Sequence, residues 1–474
     1  MSAPARWALG VSLVGCVDPD RDGGTVERPD APPAPDTSID PGLGDTDPSS
    51  ETSEPVIVDA ACTPTPNALR FDCAVTVDPA QPVQIAFAMT DGSGPERVHA
   101  SDLVATEHDI ALYFMEPETE YSLEVSAPET PAALVFATSI VTGAPPDEVR
   151  SSLLVTGDSS VPMIGTHLPC DDEPAIAVIY STVSGRLLWY QLLDPDGSLD
   201  ALHMLQFTED HTVLGDTDES VVEVDLVGNQ ILRLDRGTDF DLDLHHDLFK
   251  RNGQYYLLYQ EDFPDGLSLD SVVVLDSLGA ELARWRSVER LDIPPDAGGD
   301  WLHTNAIFVQ PTGEIVLSLY SRSSVLMLEG DVASWDFGTT RWILAGVEPA
   351  ELGQDFDVDW ERVGGGDAFR SQHSVLVRND GRLMLLDNLS GRGLVLSYDE
   401  PTWTATVEEA WDTVEPTCGQ QGTARDSLAG NSFVGCDGDQ LREYDPAAGL
   451  VWEAKVDCGG SDAYVARFYP LDGW

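Results

Sequence analysis

Residues His245–Asp262 read HHDLFKRNGQYYLLYQED, and Ser271–Ser287 read SVVVLDSLGAELARWRS. Short runs of β-branched, aromatic and aliphatic residues are broken at Asn252-Gly253 and again at Asp276-Ser277-Leu278-Gly279. Asn-Gly between two apolar runs signals a tight hairpin, so the pair of segments reads as four successive antiparallel strands, the outermost bearing Trp285. The template recurs. HMLQFTEDHTVLG (His203–Gly215) leads to VVEVDLVGNQILRLD (Val221–Asp235), and HTNAIFVQPTGEIVLSLYSR (His303–Arg322) leads to SVLMLEGDVASWDFG (Ser324–Gly338). HSVLVRNDGRLMLLDN (His373–Asn388) leads to LVLSYDEPTWTATVEEAW (Leu394–Trp411), and GTARDSLAGNSFVGC (Gly422–Cys436) leads to LREYDPAAGLVWEAKV (Leu441–Val456). An earlier copy, AIAVIYSTVSGRLLWYQLL (Ala175–Leu193), lacks its opening strand, while DAYVARFYPL (Asp462–Leu471) is a strand left over.

Copies of roughly fifty residues match four-stranded propeller blades. If the spare strand completes the first copy, the ring closes and no open sheet edge remains. The expected fold is all-β: a six-bladed β-propeller over 150–474, with seven blades or a sandwich array as the alternatives. Ahead of it, 54–145 carries short alternating strands (RFDCAVTVD, PVQIAFAMT, TEHDIALYF, EYSLEVSA) that predict a small β-sandwich. MEPETEYSLEV resembles the immunoglobulin or fibronectin III pattern, with Tyr121 placed for a tyrosine corner.

The chain of 474 residues opens with an apolar run, Trp7–Val14, too short to span a bilayer. It ends in Leu13-Val14-Gly15-Cys16, which resembles a bacterial lipobox and implies acylation of Cys16 after cleavage; an ordinary secretory signal is the alternative. Residues 17–53 are rich in Pro, Asp, Gly, Ser and Thr and read as a disordered tether. Lys and Arg number 25 against 83 acidic residues, a formal charge of −58 that repels nucleic acid and anionic lipid. Neither is an expected partner, apart from membrane contact through the lipid anchor. With Cys16 lipidated, six cysteines remain, an even number suited to disulfides in an extracytoplasmic compartment. Of the pairings open to them, nearest neighbours give Cys62–Cys73 and Cys418–Cys436, leaving Cys170–Cys458.

Propeller blades line the central channel with their first strands, and ligands bind in the funnel where those strands begin. His246, His303 and His373 head this strand in three consecutive copies, each followed seven to ten positions later by a turn glycine, Gly253, Gly313 or Gly381. Asn305 shares a strand face with His303, and Arg322 follows on the next strand of that copy. His99, His108, His167, His203 and His211 lack such company and read as structural. Three imidazoles with an arginine and an amide suit a tetrahedral oxyanion, and a neutral imidazole is a nucleophile toward activated sulfur or phosphorus. Three histidines can also hold zinc, a reading placed second because an arginine in the same pocket repels a cation. No metal or other cofactor is expected on this basis.

HHD (His245–Asp247), DWLHTN (Asp300–Asn305), SLYSR (Ser318–Arg322) and SQHSVLVRNDGRLMLLDN (Ser371–Asn388) resemble the bacterial arylsulfate sulfotransferases, exported six-bladed propellers with an N-terminal β-domain. The resemblance spans most of 150–411. It implies transfer of a sulfuryl group, without a nucleotide donor, from a phenolic sulfate ester to a phenol. It implies that His373 is transiently sulfated, that His303, Asn305 and Arg322 hold the sulfate oxygens, and that His303 doubles as acid and base. Of the pair, His246 matches better than His245 because an acid follows it, though a turn one residue shorter leaves His245 open as a substrate contact. Trp301, Tyr320 and Phe369 are placed to wall a phenol. Ser374 departs from the pattern, standing where an acid is frequent. A non-catalytic surface-binding propeller and a metal-dependent hydrolase on the same fold are the competing readings.

Overall fold

The computed structural model describes residues 56–127, 136–168, 170, 175–193, 204–217, 219–347, 350–360, 368–419, 421–436, 440–459 and 467–474. Cys16 and the tether 17–53 lie outside the described residues. Strands Val56–Pro64, Phe71–Met89, Arg97–Leu112, Glu120–Ser126 and Phe136–Val141 form one antiparallel sheet. Two strands expected on either side of Asp78-Pro79 prove to be a single strand, Phe71–Met89. One edge of that strand pairs first with Val56–Pro64 and then with Glu120–Ser126, while Arg97–Leu112 follows the other edge. Register shifts between Thr76 and Val83 supply a bend. Phe71, Cys73, Val75 and Val77 from before the bend then share one core with Val83, Ile85 and Phe87 from after it, as facing layers of a sandwich do. Tyr121 lies in this core, and its hydroxyl accepts the Glu116 N–H at 2.7 Å.

The repeats form six antiparallel blades, a six-bladed propeller. The innermost strands are Met204–Phe207, Asp243–Arg251, Thr304–Val309, His373–Val377, Thr423–Asp426 and, from the far end of the chain, Tyr469–Pro470. This last strand pairs with Met163–His167 and completes the first blade, as the spare strand in the sequence requires. The ring is also closed a second time. Ser152–Gly157, which the repeat pattern did not reveal, adds a fifth strand to the outer edge of the sixth blade by pairing with Gly449–Asp457.

Bulky outer-strand residues seal adjacent blades. Trp189 Nε1 donates to Leu226 O at 2.8 Å, and Trp452 Nε1 donates to Thr182 O at 3.0 Å, each reaching the turn before the fourth strand of the next blade. Trp285 packs on the same turn of its neighbour at Gly338, where an added Cβ would lie 2.6 Å from the indole. With Trp342, these four indoles are almost wholly buried, which is why Trp marks the repeat so regularly.

The sheet of residues 56–141 sits against the first blade. Asn67 Nδ2 donates to Tyr190 O at 2.8 Å, and Arg186 pairs with Glu116 at 2.8 Å. Both nearest-neighbour disulfides, Cys62–Cys73 and Cys418–Cys436, form, and so does the remaining pair, Cys170–Cys458. The third joins residues 288 apart and staples the first blade to the strand that closes the sixth. Such bonds suit an extracytoplasmic setting. Among the described residues no helix is long and apolar enough to cross a membrane.

Closing so long a loop constrains the unfolded chain by about 5–6 kcal/mol in the chain-entropy account. Replacing Cys170 and Cys458 together by serine is therefore expected to lower the melting temperature by roughly 5–10 °C in calorimetry. The same change at Cys62 and Cys73, which close a loop of sequence separation 11, costs less.

Candidate active site

Adjacent residues of a regular strand point to opposite faces, yet the rings of His245 and His246 lie 4.0 Å apart. A bulge explains this. Between Leu244 and Leu248 three residues oppose one on the neighbouring strand, and His246 takes the left-handed conformation with φ 60°. The inner strands of the next two blades open with bulges as well, between Thr304 and Ala306 and between His373 and Leu376. Left-handed residues fall there too, His303 at φ 47° and Ser374 at φ 57°. Each costs about 1–2 kcal/mol for a side chain with a Cβ, and the surrounding blades over-determine it.

The bulges bring four imidazoles together. His303 lies 4.5 Å from His246 and 5.6 Å from His245, centroid to centroid. Tyr320 bridges onward, 5.0 Å from His303 and 5.1 Å from His373. His373 is 5% exposed, whereas the His303 side chain keeps 27% of its surface open.

Carboxylates that the sequence did not bring together surround the rings. Asp270, fully buried, meets Nδ1 of His245 at 2.5 Å, and Asp300 holds Nδ1 of His303. Burial works against a charge on His245, but the hydrogen bond and charge of Asp270 raise its pKa above the ordinary histidine value. Asp300 is likewise held below the usual carboxylate range, its burial outweighed by His303. Burial, with Asp247 close by, pushes the buried Asp216 up to about 8. His246 goes the other way: burial, with its histidine neighbours, lowers it to about 2, and its Nε2 is buried without a hydrogen-bond partner among the described residues.

Among the described residues no carboxylate is bonded to His373. Its Nδ1 lies 3.0 Å from Asn388 Oδ1, and Asn388 Nδ2 donates to Gln421 O at 2.8 Å. The second bond fixes the amide, so its oxygen faces the imidazole, Nδ1 must carry the proton, and Nε2 keeps the lone pair. Burial, followed by the charge of Arg467, lowers the His373 pKa to about 3, so the ring is neutral across the ordinary pH range. Ser374, the residue that departs from the pattern by standing where an acid is frequent, accepts the Ala424 N–H at 3.1 Å, tying this blade to the next. Asp247 makes the equivalent tie by accepting Ile307 N–H at 2.9 Å.

Asn305 is buried beside the cluster, and Nδ2 donates to Gln372 O at 2.9 Å, holding the peptide that leads into His373. Arg322 pairs with Glu351, and its guanidinium carbon lies 4.9 Å over the Trp301 ring. The cation felt at His246 and His373 is Arg467. At 1% exposure it pairs with Asp247 at 2.8 Å and donates to Asn305 O at 3.1 Å. Asp247 offsets the cost of burying it and keeps it charged. Its signal in the sequence was position alone, a cation two residues before the closing strand, which lines the channel. Of the expected aromatic walls, Tyr320 touches the imidazoles, Trp301 carries Arg322, and Phe369 is core packing.

A family model described as arylsulfotransferase (ASST) matches residues 171–420. No curated protein matches the chain. Among solved structures, one of unknown function from Bacteroides caccae aligns over 65% of this chain and 100% of its own, at 9% identity and a TM-score of 0.43. A virginiamycin B lyase from Staphylococcus aureus aligns over 65% and 99%, at 9% identity and a TM-score of 0.33. A periplasmic gluconolactonase from Pseudomonas aeruginosa aligns over 83% and 100%, at 14% identity and a TM-score of 0.35.

The depressed pKa of His373 has a consequence for stability. Between about 3 and the ordinary value of 6.5 the unfolded chain binds a proton here that the folded chain does not, so stability falls as pH drops through that window. His373→Gln removes the effect. Between pH 7.5 and pH 5, denaturant titrations should show the stability difference moving in the variant's favour by about 1–2 kcal/mol.

Proposed function

Because the chain belongs to the arylsulfotransferase (ASST) family, we propose that it transfers a sulfuryl group from a phenolic sulfate ester to a phenol through a sulfated His373. The observation that carries this reading is the state of His373: buried, neutral, and with Nε2 left as the lone-pair nitrogen by Asn388. That nitrogen attacks sulfur, the S–N bond forms, and the S–O bond to the aryl group breaks. His303, backed by Asp300, protonates the departing phenolate; it then takes the proton of the incoming phenol, whose oxygen displaces Nε2 from sulfur. His245, made more basic by Asp270, and His246 line the sulfuryl oxygens, and Tyr320 stacks against the phenol. Arg467 supplies positive charge from below, while Arg322, stacked on Trp301, faces the anionic donor from the rim. Asn305 acts as a positioning residue through the Gln372 peptide.

In this reading 54–145 is an immunoglobulin-like module docked on the propeller of 150–474, supported by the Tyr121 contact with Glu116. The lipobox-like stretch ending at Cys16 anchors the protein by lipid at the bacterial cell envelope.

Purified protein should release 4-nitrophenol from 4-nitrophenyl sulfate faster when a second phenol is added. His373→Ala should lower that rate by about 10³-fold or more, and intact mass after donor exposure should show one added sulfuryl group only when His373 is present. Unchanged turnover in the variant removes His373 from the chemistry. Release indifferent to acceptor favours hydrolysis, and donor binding without release favours the surface-binding reading.

A further inference from the structure

We infer that His245, His246 and His303 form a binding site for one zinc-class divalent cation. Each of the three brings a ring nitrogen within 4.8 Å of the other two. Tetrahedral coordination by imidazole at about 2.0–2.1 Å sets nitrogens roughly 3.4 Å apart. Closing the gap takes movements of about 1 Å in side chains that are only partly buried.

Two features beyond proximity point to a metal. The Nδ1 atoms of His245 and His303 are each held by a carboxylate, Asp270 and Asp300, which leaves Nε2 as the lone-pair nitrogen of each ring in its neutral form. Carboxylate–histidine–metal relays have this arrangement, because the acid fixes the tautomer and makes the ligand more basic. Asp300 also brings its Oδ2 to 4.0 Å from Nε2 of His245, adding negative charge beside the trio. Secondly, Nε2 of His246 is buried without a hydrogen-bond partner among the described residues, a polar atom whose desolvation nothing in the protein offsets. A cation shared with the other two imidazoles would satisfy it.

Both nearby guanidinium groups have a carboxylate partner, which reduces their repulsion of a cation. Arg322 is paired with Glu351, and Arg467 is paired with Asp247. Three imidazole ligands select zinc, cobalt, nickel or copper over calcium and magnesium, which take oxygen ligands. The fourth position remains open to water or an oxyanion. A bound ion takes up Nε2 of His303, the atom that our functional reading uses for proton transfer, so occupancy and transfer exclude one another. This exclusion rests on the proposed function; metal binding does not.

Calorimetric titration of the full chain with zinc should show one saturable site, and cobalt should produce the visible d–d absorption of a tetrahedral ion. His246→Asn and His303→Asn, chosen because asparagine tolerates the left-handed backbone both positions require, should weaken binding by more than tenfold and abolish the cobalt band. Asp270→Asn should weaken it about 10–100-fold while all three ligands remain, and His373→Gln should leave it unchanged. With 83 acidic residues the surface also attracts cations, so binding that persists undiminished in both histidine variants overturns the site. Melting curves without metal establish that each variant is folded. Zinc should inhibit transfer with the midpoint of binding, reversed by chelator; full transfer at saturating zinc overturns the mutual exclusion, and transfer lost in His373→Gln with zinc binding intact separates the two readings.

Discussion

The ion pair between Arg467 and Asp247 holds the centre of this molecule together. Arg467 comes from the segment that closes the ring, Asp247 from the third blade, and the second nitrogen of the guanidinium reaches Asn305 O in the fourth. Next along the chain, Phe468 N–H donates to Thr423 Oγ1 in the sixth blade. One side chain thus links elements contributed from well-separated parts of the sequence, all at the head of the channel. Burying a guanidinium is costly, and breaking such a pair by removing one partner typically costs about 3–5 kcal/mol. The arrangement is retained where geometry matters more than stability: the charge of Arg467 helps keep His246 and His373 neutral, and its partner Asp247 belongs to the bulge that turns two neighbouring histidines the same way.

The blade repeat was legible because it is written in local terms. Asn252-Gly253, the glycines of the later turns and the outer-strand tryptophans all report short-range geometry, and the missing first strand with its spare counterpart reported closure. Ser152–Gly157 escaped because a fifth strand repeats nothing. The two halves of Phe71–Met89 were read as separate strands because Pro79 ordinarily ends one; here it stands at a register shift, where the sheet bends.

For the site, position in the repeat pointed to three of the clustered histidines, and a turn one residue shorter than in the fifth copy left His245 open as the fourth. The acids and Asn388 stayed invisible because they arrive from second and third strands or from loops. Asp270 lies on the third strand of the third blade, and Asp300 is brought back to that strand by a short parallel pairing of Gly299–Asp300 with Leu267–Ser268. Arg322 stands near the histidines in the sequence, and its guanidinium is engaged by Glu351, from a loop with no repeat signature, and by the face of Trp301, neither of which the repeat reveals.

The order in which the chain is made now matters. Arg467 and Tyr469–Pro470 leave the ribosome after every other element that touches the histidines, and blades folding one behind another during synthesis can assemble the walls of the cavity but not its keystone. Until that segment threads back beside Met163–His167, Asp247 is a lone buried anion and His373 lacks the neighbouring charge that suppresses its protonation. In a nascent polypeptide the charge balance around the histidines is therefore completed in one step, with the final stitch of the ring.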